Sequence, residues 1–158
     1  MRKILFRGIP KDDTTRRFFA DIWKDNCKGS FVYGSLIIDK GRYYICVSAL
    51  CTINSCINNG MTSMIEVIPE TVGQYTGWTD KNGKKIFEGD VVKACNATYD
   101  NGFAEVKGKV FFNCGSFDID VEDVIYIPLY SYGTENIEVI DNIHDDGELL
   151  KGENKNDG

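Results

Sequence analysis

The sequence predicts a mainly β fold made of short antiparallel strands, with at most one or two short helices. Glycine is common, at 16 of 158 residues, whereas proline occurs only 3 times. Aromatic residues make up 12% of the chain, and they gather with β-branched residues in short runs that end at turn-forming residues. This combination favours strands and tight turns over long helices. We expect about nine or ten short strands, spaced as in a sandwich or barrel.

The N-terminal half contains the first hairpin signal. Strands are predicted at 31–38 and 43–49, because both runs are rich in β-branched and aromatic residues. Asp39-Lys40-Gly41 separates them, and glycine adopts the positive φ that such a turn requires. Further strands are predicted in this half at Lys3–Arg7 and at Met64–Ile68, the second of which Pro69 ends.

The strongest turn signal is Asp80-Lys81-Asn82-Gly83, because Asn-Gly readily takes the left-handed conformations of a hairpin turn. Later strands are predicted at Lys85–Phe87, Val91–Cys95, Glu105–Phe112, Phe117–Val121, Val124–Leu129 and Ile137–Ile140. Between 117 and 122, apolar residues alternate with Asp118, Asp120 and Glu122, which predicts one buried face and one solvated, acidic face. The run Val124–Leu129 is more continuously apolar, which predicts deeper burial.

One short helix is predicted near the N-terminus, where Phe18, Phe19, Ile22 and Trp23 recur at helical spacing after Thr14 or Thr15 as the N-cap. The polar segment Cys51–Ser63 is predicted as a loop. Residues 1–150 are expected to form a single unit, or two intertwined β subdomains of about 1–70 and 71–150. Residues 151–158 lack apolar side chains and are expected to form a disordered tail.

Charge and cysteine content narrow the class of protein. The formal net charge of −6 disfavours nucleic acid as a partner, because binding to it relies on lysine and arginine. The apolar run after the basic N-terminus is too short for a secretory signal, and no run is long enough to span a membrane. We therefore expect a cytoplasmic protein without a membrane partner.

Its 6 cysteines are expected to be reduced, buried or half-buried thiols, and they match no zinc template.

The order of strands and turns from Ile86 to Ile119 matches the plan of a small SH3-like barrel. Such barrels need short, strongly bent antiparallel strands with glycines at the corners. The segments Gly89–Val92 and Gly108–Val110 are similar to two edges of these barrels. The predicted architecture is therefore one or more SH3-like small barrels.

The segment Gln74–Lys93, QYTGWTDKNGKKIFEGDVVK, resembles the signature of the YopX family. Four shorter segments resemble other parts of that family: Met1–Gly8, Phe31–Gly34, Val67–Gly73 and Glu138–Leu150. The resemblance implies an SH3-like β-barrel, an origin in a phage or in a prophage of a bacterial host, and self-association. It implies no reaction and no cofactor, since members are generally of unknown function.

Two features depart from the pattern of the family. Trp78 stands where members often have leucine. The segment Lys11–Gly29 is longer than the usual link between the opening strand and the run at 31–34. The predicted helix lies inside this insertion, so the resemblance does not support it.

The sequence contains no catalytic or cofactor-binding motif, and we expect neither catalytic residues nor a cofactor. The acids Asp118, Asp120 and Glu122 begin like a calcium loop but lack its glycine at the sixth position and its acid at the twelfth, so we expect a solvated face and no metal. His144 has a carboxylate neighbour, as a general base does, but no paired nucleophile is identifiable. We expect a surface histidine next to a turn.

The leading hypothesis is a non-enzymatic accessory protein that binds a protein of the phage or of its host. Its partner-binding residues are expected among the exposed members of the signature segment, Trp78, Lys81, Lys84 and Glu88.

Two other functions stay open from the sequence. One is an SH3-like nucleic-acid-binding module, because Lys81, Lys84 and Lys85 lie close in sequence to Tyr75, Trp78 and Phe87, on which bases could stack. The other is an enzyme of an unrecognised type.

Overall fold

The computed structural model describes residues 4–12, 14–15, 31–47, 64–97, 103–123 and 125–144. These residues form two antiparallel sheets, one of which curls into a half-barrel, and their complete helices are single 3-10 turns. The mainly β fold class is therefore confirmed. The strands are β1 (Phe6–Gly8), β2 (Val32–Asp39), β3 (Arg42–Cys46), β4 (Met64–Val67), β5 (Gly73–Thr79), β6 (Lys85–Phe87), β7 (Asp90–Ala97), β8 (Phe103–Asn113), β9 (Ser116–Val121), β10 (Ile125–Pro128) and β11 (Ile137–Asn142).

The chain divides into two compact units, Met1–Glu88 and Gly89–Gly158. The 3-10 turns are Pro69–Thr71 in the first unit, and Leu129–Ser131 and Thr134–Asn136 in the second. The expectation of one domain, or of two intertwined subdomains, stays a prediction.

The first unit contains a six-stranded sheet with the order β4-β3-β2-β1-β5-β6. Strand β1 joins segments that are distant in sequence, since it pairs with β2 on one side and with β5 on the other. The core beneath strands β2 to β4 consists of Val32, Ile45, Val47, Ile65 and Val67. Burying each of these side chains stabilises the fold by roughly 1.5–3 kcal/mol.

The predicted hairpin between β2 and β3 is confirmed. Its turn residues Lys40 and Gly41 both have positive φ, at 48° and 77°, as a type I′ turn requires. This turn aligns Asp39 with Arg42 and sets the register of the whole hairpin. The predicted stop at Pro69 is also confirmed, because β4 ends at Val67.

The second unit contains a five-stranded sheet with the order β10-β9-β8-β7-β11. Its core comes from one face of these strands, where Val92, Ala94, Val110, Ile119 and Ile137 are at most 1% exposed. Strands β8 and β9 approach very closely at Gly108, where a Cβ atom would overlap the carbonyl oxygen of Asp120. Glycine is therefore required there by the close packing of the two backbones.

Two predictions about burial in strands β9 and β10 are wrong. The run Val124–Leu129 was expected to be deeply buried, but Ile125 and Tyr126 are 55% and 52% exposed, because β10 lies at the edge of the sheet and pairs with β9. The acidic face of β9 was expected to be solvated, but Asp118 is only 6% exposed. Its two carboxylate oxygens accept hydrogen bonds from Ser116 Oγ and from Asn113 Nδ2, which satisfies the buried charge locally.

The N-terminal helix cap differs from the prediction. Thr14 and Thr15 are helical, and the carboxylate of Asp12 accepts hydrogen bonds from Thr15 N–H at 2.7 Å and Thr15 Oγ at 2.6 Å. Asp12 is therefore the N-cap, because its carboxylate is a strong acceptor for orphan N–H groups. These bonds from Thr15 lower the pKa of Asp12. The rest of the predicted helix, the loop Cys51–Ser63 and the tail 151–158 lie outside the described residues.

Candidate functional site

The predicted partner-binding residues lie on the β5–β6 hairpin. Lys81 and Lys84 are exposed at its turn, and Trp78 is half-buried at the end of β5. Glu88 is also half-buried, and its Oε2 accepts a hydrogen bond from Gln74 N–H at 2.9 Å. The structure therefore uses the Glu88 carboxylate to hold β5 in place, whereas the two lysines face solvent.

Asp80 organises this turn, and sequence reasoning assigned it no such role. The residue is 3% exposed, and its Oδ1 accepts hydrogen bonds from the N–H groups of Asn82 and Lys84, each at 2.8 Å. Among the turn residues only Gly83 has positive φ, at 78°. The turn is therefore closed by the aspartate and the glycine, whereas the sequence had assigned left-handed geometry to Asn-Gly as a pair.

Replacement of Asp80 by alanine is expected to lower the free energy of unfolding by about 2 kcal/mol, because two backbone donors lose their acceptor. Asp80→Asn keeps an Oδ1 acceptor in the same place and is the matched control, with a smaller expected loss. Urea denaturation of both variants checks this. Equal losses for alanine and asparagine would show that the Oδ1 hydrogen bonds are not what stabilises the turn.

The aromatic residues proposed for base stacking are mostly inaccessible. Tyr75 and Phe87 are only 9% and 3% exposed, and their rings pack together with centroids 5.5 Å apart. Tyr33 contacts Phe87 at the same ring distance. A base cannot stack on rings that are already buried, so Trp78 is the one member of the predicted aromatic set with accessible surface.

Arg7 holds this aromatic cluster together, and sequence reasoning missed it. The side chain is buried, with its guanidinium 4.5 Å from the ring centroid of Phe31 and 4.9 Å from that of Phe87. Its Nη2 donates a hydrogen bond to the carbonyl oxygen of Glu88 at 2.8 Å. The available signal was an arginine inside the apolar opening strand, a position where a charge is costly unless it is paired.

His144 is buried, at 8% exposure, so the expected surface position is wrong. The backbone N–H of His144 donates a hydrogen bond to Asn142 Oδ1 at 2.9 Å. Asn142 Nδ2 in turn donates to Asp90 Oδ1 at 3.1 Å, and Asp90 is 1% exposed. These contacts connect the end of β11 to the start of β7, which makes this corner a structural element of the second unit.

The cysteines of the described segments are free thiols. Cys46 and Cys95 are half-buried as expected, but Cys114 is exposed because it occupies the β8–β9 turn with Gly115. In the same segments no group of three acidic, histidine or cysteine residues is close enough to hold a metal ion.

In the described part of the second unit, three of the four most exposed large apolar side chains lie on the edge strand β10 or just after it, and the fourth is Phe112 of β8. Ile125, Tyr126 and the following Tyr130 are 55%, 52% and 63% exposed. The ring of Tyr126 packs edge-on against Phe111 of β8, with centroids 5.2 Å apart. We refer to Ile125–Tyr130 as the β10 edge.

The other sheet edges in the described segments are β4, β6 and β11, and they carry features that limit pairing; β6 has only 3 residues. The β4 edge is covered by a bridge from Pro10 to Val67 and by a hydrogen bond from Lys11 N–H to Glu66 O. The β11 edge has a bulge between Val139 and Asp141. Strand β10, like β4, pairs with its neighbour without a register shift, so its ladder is regular.

The surroundings of the β10 edge are acidic. Glu122 and Asp123 are exposed in the turn that leads into β10. Asp120, directly opposite Tyr126, lies with its Oδ2 3.7 Å from Lys109 Nζ. The sequence contains no lysine or arginine between Lys109 and Lys151, whereas aspartate and glutamate recur throughout that stretch. The edge therefore combines apolar side chains, a regular backbone and negative charge.

Comparisons with known proteins agree with the resemblance in the sequence. A search of curated proteins finds no match to the chain. The family model described as YopX protein matches residues 21–151. The match includes the signature segment and most of both units, and it begins inside the segment Lys11–Gly29. Since it spans well over half of the sequence, the chain belongs to the YopX family.

Proposed function

We propose that this protein is a non-enzymatic accessory protein of phage type that binds another protein through the β10 edge. The observation that carries the proposal is the run of exposed apolar side chains on a regular edge strand. Ile125 and Tyr126 are both more than half exposed there. Exposed apolar edges invite pairing with other chains, and natural proteins usually protect them.

Two residue sets favour a protein partner over nucleic acid. The acids Glu122 and Asp123 repel phosphate at the β10 edge. On the β5–β6 hairpin, Tyr75 and Phe87 are buried, which removes two of the three stacking platforms of the nucleic-acid hypothesis. Binding of labelled single-stranded DNA at low salt, lost when salt is raised, would instead favour that hypothesis.

The proposal includes the cell compartment and the assembly state. No helix in the described segments has the length and apolar character needed to cross a membrane. We propose a location in the cytoplasm of the bacterial host, where phage accessory proteins act. Self-association, which the family resemblance implies, stays a prediction that light scattering checks.

The test is affinity capture of host and phage proteins on the immobilised full-length chain, quantified by mass spectrometry. We expect the amount of at least one protein captured by the wild type to fall at least about tenfold when the double variant Ile125→Ser and Tyr126→Ser is immobilised instead. Ile38→Ser is the matched control, because Ile38 is 57% exposed in the first unit. Retention that the β10 variant leaves unchanged would contradict the proposed surface.

The same experiment tests the predicted site on the hairpin. The double variant Trp78→Ala and Lys84→Ala removes the accessible aromatic ring and one exposed charge from the β5–β6 turn. Loss of retention with this variant alone would place partner binding on the hairpin. A turnover detected with a phage or host metabolite, without any retained protein, would contradict the non-enzymatic proposal.

A further inference from the structure

We propose that the β10 edge binds an extended, basic segment of the partner protein as an additional strand of the five-stranded sheet. This inference rests on the proposed function and specifies the chemistry of the partner. It follows from three properties of the edge: its free backbone side, the alternation of its side chains and its charge.

The side of β10 that faces away from β9 pairs with no strand of the described segments. Within the described part of the chain, β9 is the strand that pairs with it, from Ile125 opposite Val121 to Pro128 opposite Asp118. A strand added on the other side would lie about 4.8 Å away and would use the backbone N–H and C=O groups that face it. Pro128 ends the strand and limits the added pairing to a short segment.

The two faces of β10 differ in chemistry. Ile125 and Ile127 lie on the same face as Val121 and Ile119, so an added side chain on that side meets apolar neighbours. Tyr126 lies on the opposite face, beside Asp120. Side chains alternate along a strand, so the partner's segment should also alternate. Every second residue would be apolar, and the residues between them would contact the tyrosine ring and the carboxylate.

A lysine or arginine suits the second face. Its cation would lie against the Tyr126 ring, with Glu122 and Asp123 exposed at the end of the strand. The Asp120 carboxylate lies on the same face, and its Oδ2 is 3.7 Å from Lys109 Nζ, so the exposed acids Glu122 and Asp123 are the ones available to a partner's cation.

The same acids disfavour a second copy of this chain as the occupant. In an antiparallel pair of β10 edges, the two Glu122–Asp123 turns would lie at opposite ends, and each would meet the other copy's Ile125–Tyr130, which contributes no lysine or arginine. A second copy would therefore add negative charge without a compensating cation, and natural edges use charge to block self-pairing. A basic segment from another protein gains from the same charges, which makes the edge selective.

The test is fluorescence anisotropy of the full-length chain with three labelled octapeptides: alternating valine and lysine, alternating valine and glutamate, and the valine–lysine peptide N-methylated at every second residue. We expect the basic peptide to bind at least about tenfold more tightly than the acidic one. N-methylation should weaken binding about tenfold or more, because it removes the backbone donors of the added strand.

Charge variants of the chain complete the test. Glu122→Asn with Asp123→Asn should weaken the basic peptide about fivefold. Asparagine tolerates the positive φ of 58° and 57° at these positions. The matched control, Asp39→Asn with Glu70→Gln, removes the same charge from exposed residues of the first unit and should leave binding unchanged.

Equal binding of the basic and acidic peptides, or binding that N-methylation does not change, would overturn the inference. So would self-association that the Ile125→Ser and Tyr126→Ser variant abolishes, because the occupant would then be a second copy. If that variant also loses a captured protein while the basic peptide fails to bind, the proposed function stands and only the inferred chemistry of its partner is wrong. If capture is unaffected, the proposed function itself fails.

Discussion

Replacement of Arg7 by alanine is expected to lower the free energy of unfolding by about 3 kcal/mol. The guanidinium donates to Glu88 O and lies against the rings of Phe31 and Phe87. A hydrogen bond from a charged group contributes about 1.5–3 kcal/mol, and each cation–π contact adds roughly 0.5–2 kcal/mol. Alanine also leaves a cavity between the two rings, so we expect this to be among the largest single losses in the first unit.

Urea denaturation followed by tryptophan fluorescence measures the effect, since Trp78 lies in the same unit. Arg7→Lys retains the charge but lacks the planar guanidinium, which both donates the hydrogen bond and stacks on the rings. We expect this variant to lose about half as much free energy of unfolding as Arg7→Ala. Arg42→Ala is the control, because Arg42 is exposed on β3. If Arg7→Ala costs no more than Arg42→Ala, the buried cluster does not stabilise this unit.

Replacement of Gly108 by alanine is expected to destabilise the second unit by about 3 kcal/mol or to prevent its folding. The added Cβ would overlap the carbonyl oxygen of Asp120 and contact the Ile119 side chain. Neither neighbour can move without shifting β9 away from β8, and overpacking of this kind costs about 1–3 kcal/mol or more. Because β10 pairs with β9 on the side away from β8, the β10 edge should be displaced as well.

Gly77→Ala is the comparison for this prediction. A Cβ at Gly77 meets open space, but its φ is 93°, so only backbone strain of about 1 kcal/mol is expected. Hydrogen exchange resolves the two effects, because Gly108→Ala should reduce protection of the β7–β9 amides and Gly77→Ala should not. Equal loss of stability in the two variants would show that the close approach of β8 to β9 is unimportant.

Features that depend on neighbours in sequence were predicted well. The β2–β3 hairpin follows from Gly41, whose left-handed conformation the turn needs, and the end of β4 follows from Pro69. The signature segment identified the family because it is long and specific. The hairpin turn at Asp80 was placed correctly but explained incompletely, since the sequence pattern showed the Asn-Gly pair and not the Asp80 side chain that accepts its hydrogen bonds.

Features that depend on distant contacts were predicted poorly. An apolar run such as Val124–Leu129 has the same composition in the centre of a sheet and at its edge, so its exposure was misjudged. Asp118 and His144 were expected in solvent, although their hydrogen-bond partners Asn113 and Asn142 are only five and two residues away, because nearness in sequence does not show that the packing of the sheet covers a side chain. Arg7 was missed because Phe87 and Glu88 lie far along the chain.

The sequence by itself therefore determined the fold class, the turns and the family, because these follow from local backbone preferences and from a specific motif. Only the tertiary structure decided which strands lie at the edges and which polar groups are buried. Strand order is set by pairings such as β1 with β5, whose residues are far apart in sequence. The β10 edge became a candidate surface for that reason: its exposure is a property of the sheet, and the strand alone does not reveal it.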